Sequence, residues 1–232
     1  MLVVDLGTMP YENVWQLQLK INEAVRSNEM EDVLLLVVHP PVLTIGRNGK
    51  DNNLLINENE AKRMGIGIHR VDRGGDITYH GPGQLVGYPI MDLKRRNKDL
   101  LSYLRSMESS IINLLLLYGI KGEVKSGLPG VWVDNDKICA VGVGARAWVT
   151  KHGFALNINV DLAHFSWIIP CGLKDKGVTS MTKLLNRHIS FNGVKASYLH
   201  TFSEAFKVKP VPISMEALQT KLERAGLLIK AK

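Results

Sequence analysis

Twelve consecutive residues, Arg73-Gly74-Gly75-Asp76-Ile77-Thr78-Tyr79-His80-Gly81-Pro82-Gly83-Gln84, constrain this chain more than any other stretch, because four glycines and a proline leave them no stable helix. Backbone of this composition turns sharply and lets a ligand come close, and the same run offers Arg, Asp, Thr, Tyr, His and Gln as functional groups. It therefore reads as a binding loop, anchored by the strand-like residues 85–90 that follow. A dinucleotide fingerprint does not fit. Gly81, Gly83 and Gly87 are spaced one residue too wide, and a strand pattern stands where that fingerprint needs a helix. A phosphate loop fails as well, since no Gly-Lys-Ser or Gly-Lys-Thr occurs.

With 232 residues, 45% of them hydrophobic, the chain can bury a sizeable core. One α/β or α+β domain over residues 1–232 is expected, with two small lobes as the alternative. Residues 1–7 lack a basic flank, and the apolar runs Val33–Val38 and 111–117 are too short to span a bilayer, so neither secretion nor membrane insertion is expected and the cytoplasm is the default. Two cysteines, Cys139 and Cys171, make no disulfide framework, and none of the seven histidines pairs with another ligand at zinc-site spacing. No metal and no cofactor are expected.

The net charge of +7 suits either nucleic acid or an acidic protein. Its distribution favours protein: the one concentrated cluster, Lys94-Arg95-Arg96-Asn97-Lys98, lacks the interleaved aromatics that stack single-stranded bases. That cluster reads equally as a solvated loop or as a docking patch.

The elements alternate without repeats or an obvious linker. Residues 2–6 read as a strand and 11–27 as an amphipathic helix, with Val14, Leu17, Ile21, Ala24 and Val25 at helical spacing. Val33–Val38 suits a buried central strand, stopped by His39-Pro40-Pro41 before 42–46; a short helix over 58–64 leads to a strand over 66–71. A second long helix is expected over 99–118, begun by Asp99 and closed by Gly119. Two hairpins follow: 131–133 and 137–147 about the turn 134–136, then 147–149 and 154–160 about a turn near 151–153. Residues 203–206 and 215–225 read as helical, ahead of a frayed Lys/Ala tail.

Chemistry enters with Lys137 and Cys171. Lys137 opens a strand whose Ala140, Gly142 and Gly144 are small enough for a ligand to lie against. A thiol of ordinary pKa is only roughly 3% ionised at neutral pH, so a nucleophilic cysteine needs a nearby cation or base, which Lys137 could supply. Cys171 stands in a Pro-Cys-Gly loop rather than on an apolar stripe.

The run 73–84, His39-Pro40-Pro41 with Gly46-Arg47, Gly130-Val131-Trp132-Val133, Lys137, His152-Gly153-Phe154-Ala155-Leu156-Asn157 and Pro170-Cys171-Gly172-Leu173 occur in one order. Together they resemble the octanoyltransferase family of lipoate biosynthesis, over about residues 3–206, with a C-terminal helix and tail at 207–232 that add nothing to the likeness. The resemblance implies the α/β (α+β) catalytic domain shared with biotin and lipoate protein ligases: a mixed, largely antiparallel sheet flanked by helices. It also implies the reaction, transfer of an octanoyl or lipoyl group from acyl carrier protein to a lysine of an apo-lipoyl domain. The implied partners are therefore octanoyl-acyl carrier protein, the lipoyl domains of 2-oxoacid dehydrogenase E2 subunits and the glycine cleavage H protein, and neither nucleic acid nor membrane.

Carried over by position, the acyl-enzyme cysteine falls on Cys171 and the lysine that lowers its pKa on Lys137. The substrate-contacting segments fall on Arg73, Gly74, Gly75, Asp76, Ile77, Thr78, Tyr79 and His80, on Ala140, Val141 and Gly142, and on Gly153, Phe154 and Ala155. One position departs from the family pattern: Cys139 stands where a small residue, usually alanine, is expected. Strand alternation would put it on the face of Lys137, as a second thiol, while the packing habit of free cysteine makes it a core residue. His80 and His152 could orient the loop by hydrogen bonding or transfer a proton. Three rival functions remain: an ATP-dependent lipoate or biotin ligase, which would share the fold but differs at the Gly-Pro-Gly-Gln ending of the loop and has no need of a cysteine at Cys171; a cysteine thioesterase, which would use the same thiolate; and a non-catalytic acyl-carrier or lipoyl-domain binding module.

Overall fold

The apolar run at Val33–Val38 can satisfy its side chains only between two layers, and the computed structural model, which describes residues 1–170 and 176–227, places it there. In chain order the elements are β1 (Leu2–Thr8), α1 (Tyr11–Arg26), β2 (Val33–Val38), β3 (Val42–Ile45), α2 (Glu58–Arg63), β4 (Gly67–Arg70), β5 (Ile77–His80) and β6 (Gln84–Ile90). Then come α3 (Leu100–Leu117), β7 (Glu123–Lys125), β8 (Leu128–Val133), β9 (Asp136–Arg146), β10 (Val149–Asn157), β11 (Gly177–Val178), α4 (Met181–Leu185), α5 (Phe191–Phe206), β12 (Val211–Pro212) and α6 (Met215–Arg224). A nine-stranded sheet runs β12-β1-β2-β6-β10-β9-β8-β7, with β11 added to β9. The pairings from β2 to β7 are antiparallel, while β12-β1, β1-β2 and β11-β9 are parallel.

Alternation along β2 splits it between two cores. Leu34 and Leu36 join Tyr103, Met107, Ile111 and Leu114 of α3 and Tyr198 and Phe202 of α5 on one face. Val33, Leu35 and Val37 join Val14, Leu17 and Ile21 of α1 and Leu218 and Leu222 of α6 on the other. A separate three-stranded sheet, β4-β3-β5, packs Leu43, Ile45, Ile77 and Tyr79 against Phe165 and Ile168. Asp99 caps α3 as expected, its carboxylate accepting from the Ser102 N–H at 2.8 Å. Among the described residues no helix is long and apolar enough to cross a membrane.

Three local expectations change. The second hairpin turns at Ala147-Trp148, both at positive φ (+48° and +69°), and residues 151–153 lie inside β10, with His152 itself at φ +61°. The last helix of the expected core is α5, which begins at Phe191, capped by Ser190, rather than at residue 203. The alternation from Lys137 to Cys139 is broken by a register slip between Trp132↔Lys137 and Val131↔Cys139, so the two need not share a face. The expected frayed tail falls mostly on residues 228–232, outside the described residues.

At one end of the large sheet, Val211 and Ile213 donate their N–H groups to Met1 and Val3, both at 2.9 Å, with Pro212 between them. At the other end β7 is three residues long and places Glu123 and Lys125 on the edge.

Gly153 marks the tightest approach within the sheet: a Cβ there would collide with the carbonyl oxygen of Gly87 on the neighbouring strand β6. Gly153→Ala is expected to separate β6 from β10 and lower unfolding stability by about 3 kcal/mol, in the range of overpacked cores, read as a shifted urea midpoint with an unchanged slope.

Candidate active site

The glycine run folds as a loop pinned from two sides. Arg47 and Asn48 donate backbone N–H groups to the carbonyls of Arg73 (3.0 Å) and Gly75 (3.1 Å), and Gly74 donates to Val143 of β9 at 2.8 Å. Asp76 works within the loop: its Oδ1 accepts from the N–H groups of Lys50 and Ile77, and its Oδ2 from the Asn53 side chain. The buried Arg73 guanidinium donates to Thr44 through Nε (3.3 Å to Oγ1) and Nη2 (2.7 Å to the carbonyl).

This loop, β9, β10 and the Gly127–Pro129 turn enclose a cavity of about 590 Å³, within the roughly 300–1,000 Å³ usual for small-molecule sites. Arg73, Gly74, Gly75, Asp76, Ile77, Thr78 and His80 line it from the glycine run. Ala140, Val141 and Gly142 line it from β9, and Gly153, Phe154 and Ala155 from β10. Lys137 lines it too, with Leu104 and Leu128 among the apolar residues. Tyr79 is the exception: it lies with Ile77 in the small-sheet core, its hydroxyl 2.8 Å from His164 Nδ1, and does not line the cavity.

Lys137 is almost wholly buried, at 7% exposure. Its ammonium donates to the Pro129 carbonyl at 3.1 Å and lies 4.6 Å from the centre of the Trp132 ring, so a carbonyl and an aromatic face hold the charge. The backbone beneath it is fixed by Gly130, at φ +121°, where a Cβ would stand 2.5 Å from the Cys139 carbonyl oxygen. The Gly130 N–H donates at 2.8 Å to the buried Glu108 carboxylate, which also accepts from Arg105 at 2.6 Å. Cys139 packs in the core under α3 and α5; burial pushes its thiol well up, and it does not line the cavity. It is a core residue.

Cys171 lies outside the described residues. Of the residues that flank it, Ile169 donates its N–H to the carbonyl of Asn53, a cavity residue, at 2.8 Å, and Val178 pairs with Lys137.

Three histidines gather at the cavity wall: His80 and His152 line it, and the His39 ring lies 6.0 Å from that of His80. His39 Nδ1 donates to the Met9 carbonyl at 2.8 Å, which leaves Nε2 to accept from the Tyr88 hydroxyl at 2.8 Å. Burial pushes His39 down to about 4. Burial, with His39 and Arg73 nearby, pushes His80 down to about 3. His152 is lowered by burial against the opposing pull of Asp72, whose carboxylate accepts from its Nε2 at 2.8 Å and from Lys151. Both rings are held by hydrogen bonds, His80 between Gln84 and Thr44 and His152 by Asp72, which is the geometry that an orienting role requires.

Because the folded pKa of His39 is depressed, its contribution is fully present above the unfolded value near 6.5 and is lost as pH falls towards about 4. Lowering pH through that window is expected to withdraw on the order of 3 kcal/mol on account of this residue. Urea unfolding at pH 7 and 5 checks it, the slope of stability against pH being shallower in His39→Gln than in the parent.

The basic cluster at 94–98 stands apart from the cavity lining. Lys94 and Arg95 each lie 3.6 Å from Asp92, and Arg96 lies 3.3 Å from Asp32, so much of its charge is compensated locally.

Several residues of the site escaped the sequence reading: Tyr11, Thr44, Asp72 and Glu108 lie far apart in the chain and belong to no motif. A polar residue inside an apolar strand, as Thr44 stands in Val-Leu-Thr-Ile, is the signal that could have flagged one of them.

A family model described as the lipoyl protein ligase A/B catalytic domain matches residues 10–203. A protein of Caldicellulosiruptor saccharolyticus named octanoyltransferase is 47% identical over 219 residues, covering 94% of this chain and 93% of its own. The chain belongs to the octanoyltransferase family. Another octanoyltransferase, from Clostridium kluyveri, is 40% identical over 95% of this chain and 93% of its own. Among solved structures, lipoate-protein ligase A bound with ATP superposes with a TM-score of 0.76 at 18% identity, over 96% of this chain and 92% of that one. Biotin protein ligase from Aquifex aeolicus gives 0.51 at 16% identity, over 99% and 78%. Identities this low show a shared fold and no more, and that fold is the one the octanoyltransferase resemblance implied.

Proposed function

We propose that this octanoyltransferase moves an octanoyl group from acyl carrier protein to a lysine of an apo-lipoyl domain through a thioester on Cys171. The observation that carries the reading is the convergence of Lys137, the glycine run and the small-residue segments of β9 and β10 on one cavity. Its lining joins Leu104, Leu128, Val141, Val143 and Phe154, suited to an acyl chain, with the polar Thr44, Arg73, His80 and Lys137.

In the proposed resting state Lys137 is an ammonium and Cys171 a thiolate. The thiolate attacks the carrier thioester carbonyl; the bond to the carrier sulfur breaks, and the departing thiolate takes a proton from Lys137. Exchange of one thioester for another is near balance, so no nucleotide is required. The acceptor amine then attacks the Cys171 thioester, neutral Lys137 accepts the amine proton, and the Cys171 thiolate departs as the amide forms. The ion pair is thereby restored. Acceptors of this chemistry are the lipoyl domains of 2-oxoacid dehydrogenase E2 subunits and the glycine cleavage H protein.

The deciding experiment incubates the protein with octanoyl-acyl carrier protein and an apo-lipoyl domain without ATP. Octanoylated lipoyl domain is the expected product. A requirement for ATP would make the protein a ligase, release of free octanoate a thioesterase, and binding without any acyl adduct a non-catalytic module.

The cavity lining also predicts chain-length selectivity. Four methylenes at roughly 0.8 kcal/mol each amount to about 3 kcal/mol, so butyryl carrier is expected to react with kcat/KM on the order of a hundredfold below octanoyl carrier. Equal values for the two would count against an acyl-binding cavity.

A further inference from the structure

Gln84 ends the glycine run and is buried at 1% exposure beneath the cavity. Its side-chain N–H groups are both committed: Nε2 donates to the Tyr79 carbonyl at 3.1 Å and to Asn157 Oδ1 at 2.9 Å. The oxygen of the same amide therefore faces His80 Nδ1, at 3.1 Å. An amide oxygen can only accept, so Nδ1 must carry the proton. The other side of the ring gives the same answer by a separate route. Thr44 Oγ1 accepts from the Arg73 guanidinium, at 3.3 Å from Nε and 3.0 Å from Nη2, and a guanidinium cannot accept in return. The hydroxyl proton of Thr44 is thus free to point at His80 Nε2, 3.4 Å away, which has to be bare to receive it.

Beyond Gln84 the chain of bonds continues. Asn157 Nδ2 donates to the Thr179 carbonyl at 2.9 Å, and the Thr179 N–H donates to the carbonyl of Lys137 at 3.0 Å. Gln84, Asn157 and Thr179 are all buried at 4% exposure or less, so water does not compete for these bonds.

We propose that Gln84 is a positioning residue, which locks His80 in the Nδ1–H tautomer with a bare Nε2 at the cavity and, through Asn157 and Thr179, ties that ring to the strand carrying Lys137. Around the ring stand Tyr11, stacked at 6.3 Å, the neutral His39 ring at 6.0 Å, and Arg73 reaching it through Thr44. The Thr44 contact at Nε2 is long, 3.4 Å, so a polar hydrogen of a reactant, such as that of the attacking amine, can displace it and be oriented there. That last step rests on the function proposed above; the tautomer does not.

The test is nitrogen-15 NMR of the histidine rings in the unliganded protein at pH 7, with His80 assigned by its loss in His80→Asn. Protonated Nδ1 and bare Nε2 are expected; an Nε2–H or doubly protonated ring overturns the proposal whatever the variants do. Gln84→Met, which fills the space without an acceptor, is expected to release the ring into a mixture of tautomers. It should also lower kcat for octanoyl transfer on the order of 10- to 100-fold, with KM changed less than about threefold. Gln84→Glu keeps an acceptor opposite Nδ1 and is expected to retain the Nδ1–H form and more of kcat than Gln84→Met. Unchanged tautomer and kcat in Gln84→Met, or equal loss in both variants, overturns the positioning role. A wild-type protein with the expected tautomer and no octanoyl transfer would count against the proposed function and leave the tautomer assignment standing.

Discussion

Cys171→Ser is expected to lose octanoyl transfer by a factor of about 1,000 or more and to form no acyl adduct from octanoyl-acyl carrier protein. A serine hydroxyl is far harder to ionise than a thiol, and an ammonium partner that suffices for a thiolate does not suffice for an alkoxide. Intact mass after brief incubation with the carrier reads the result directly, a single octanoyl addition in the parent and none in the variant. The other cysteine provides the control. Cys139 is fully buried in the core and its thiol is raised by burial, so it has neither access to the carrier nor thiolate character. Cys139→Ala is expected to keep kcat within about threefold while giving up about 1 kcal/mol of stability for the lost sulfur contacts. An adduct that survives Cys171→Ser would move the nucleophile elsewhere and sink the assignment.

Lys137→Met should slow acyl-enzyme formation at neutral pH on the order of 100-fold, because each unit by which the nucleophile's pKa rises removes about nine-tenths of its thiolate. The rate of thiol alkylation against pH isolates this effect from binding, and the expected profile moves to higher pH. Methionine occupies similar volume, but the Pro129 carbonyl loses this donor and the Trp132 ring the nearer of its two cations, so circular dichroism and thermal unfolding belong beside the kinetics. Lys137→Arg is expected to restore the alkylation profile in part and transfer hardly at all, since guanidinium supports a thiolate yet cannot accept the amine proton in the second step. An unchanged alkylation profile in Lys137→Met would make the lysine structural.

Much of the architecture could be read from residue pattern because its signals are local. Val14, Leu17 and Ile21 at helical spacing mark α1, Asp99 starts α3, and the unbroken apolar run marks β2. The second hairpin misled for a physical reason: Lys151-His152-Gly153 has the composition of a turn, yet it lies within β10, while the true turn uses Ala147 and Trp148 at positive φ, where neither residue type is an ordinary choice. The start of α5 was missed because its buried residues Val194, Tyr198, Thr201 and Phe202 are interleaved with glycine, serine and histidine, which weaken the helical pattern. At the site, the glycine run and Lys137 announced themselves by composition. Tyr79 did not behave as its neighbours, since alternation along β5 sends it to the small-sheet core. The bonds from His80 through Gln84 and Asn157 to Thr179 join positions up to 99 apart, and no periodicity within the chain encodes such a path.

The two ends of the large sheet decide how other proteins can meet this one. At β12 the N–H groups of Val211 and Ile213 turn inward to β1, and the intervening position, whose N–H would turn outward, is a proline with none to offer. At β7 the edge is three residues long and carries a charge of each sign. An extended segment from another polypeptide finds no row of open amides at either border, so neither strand borrowing nor edge-to-edge polymerisation has a template. A guest that meets the large sheet at these two borders is therefore recognised by its surface shape and side chains rather than by lending a strand to it.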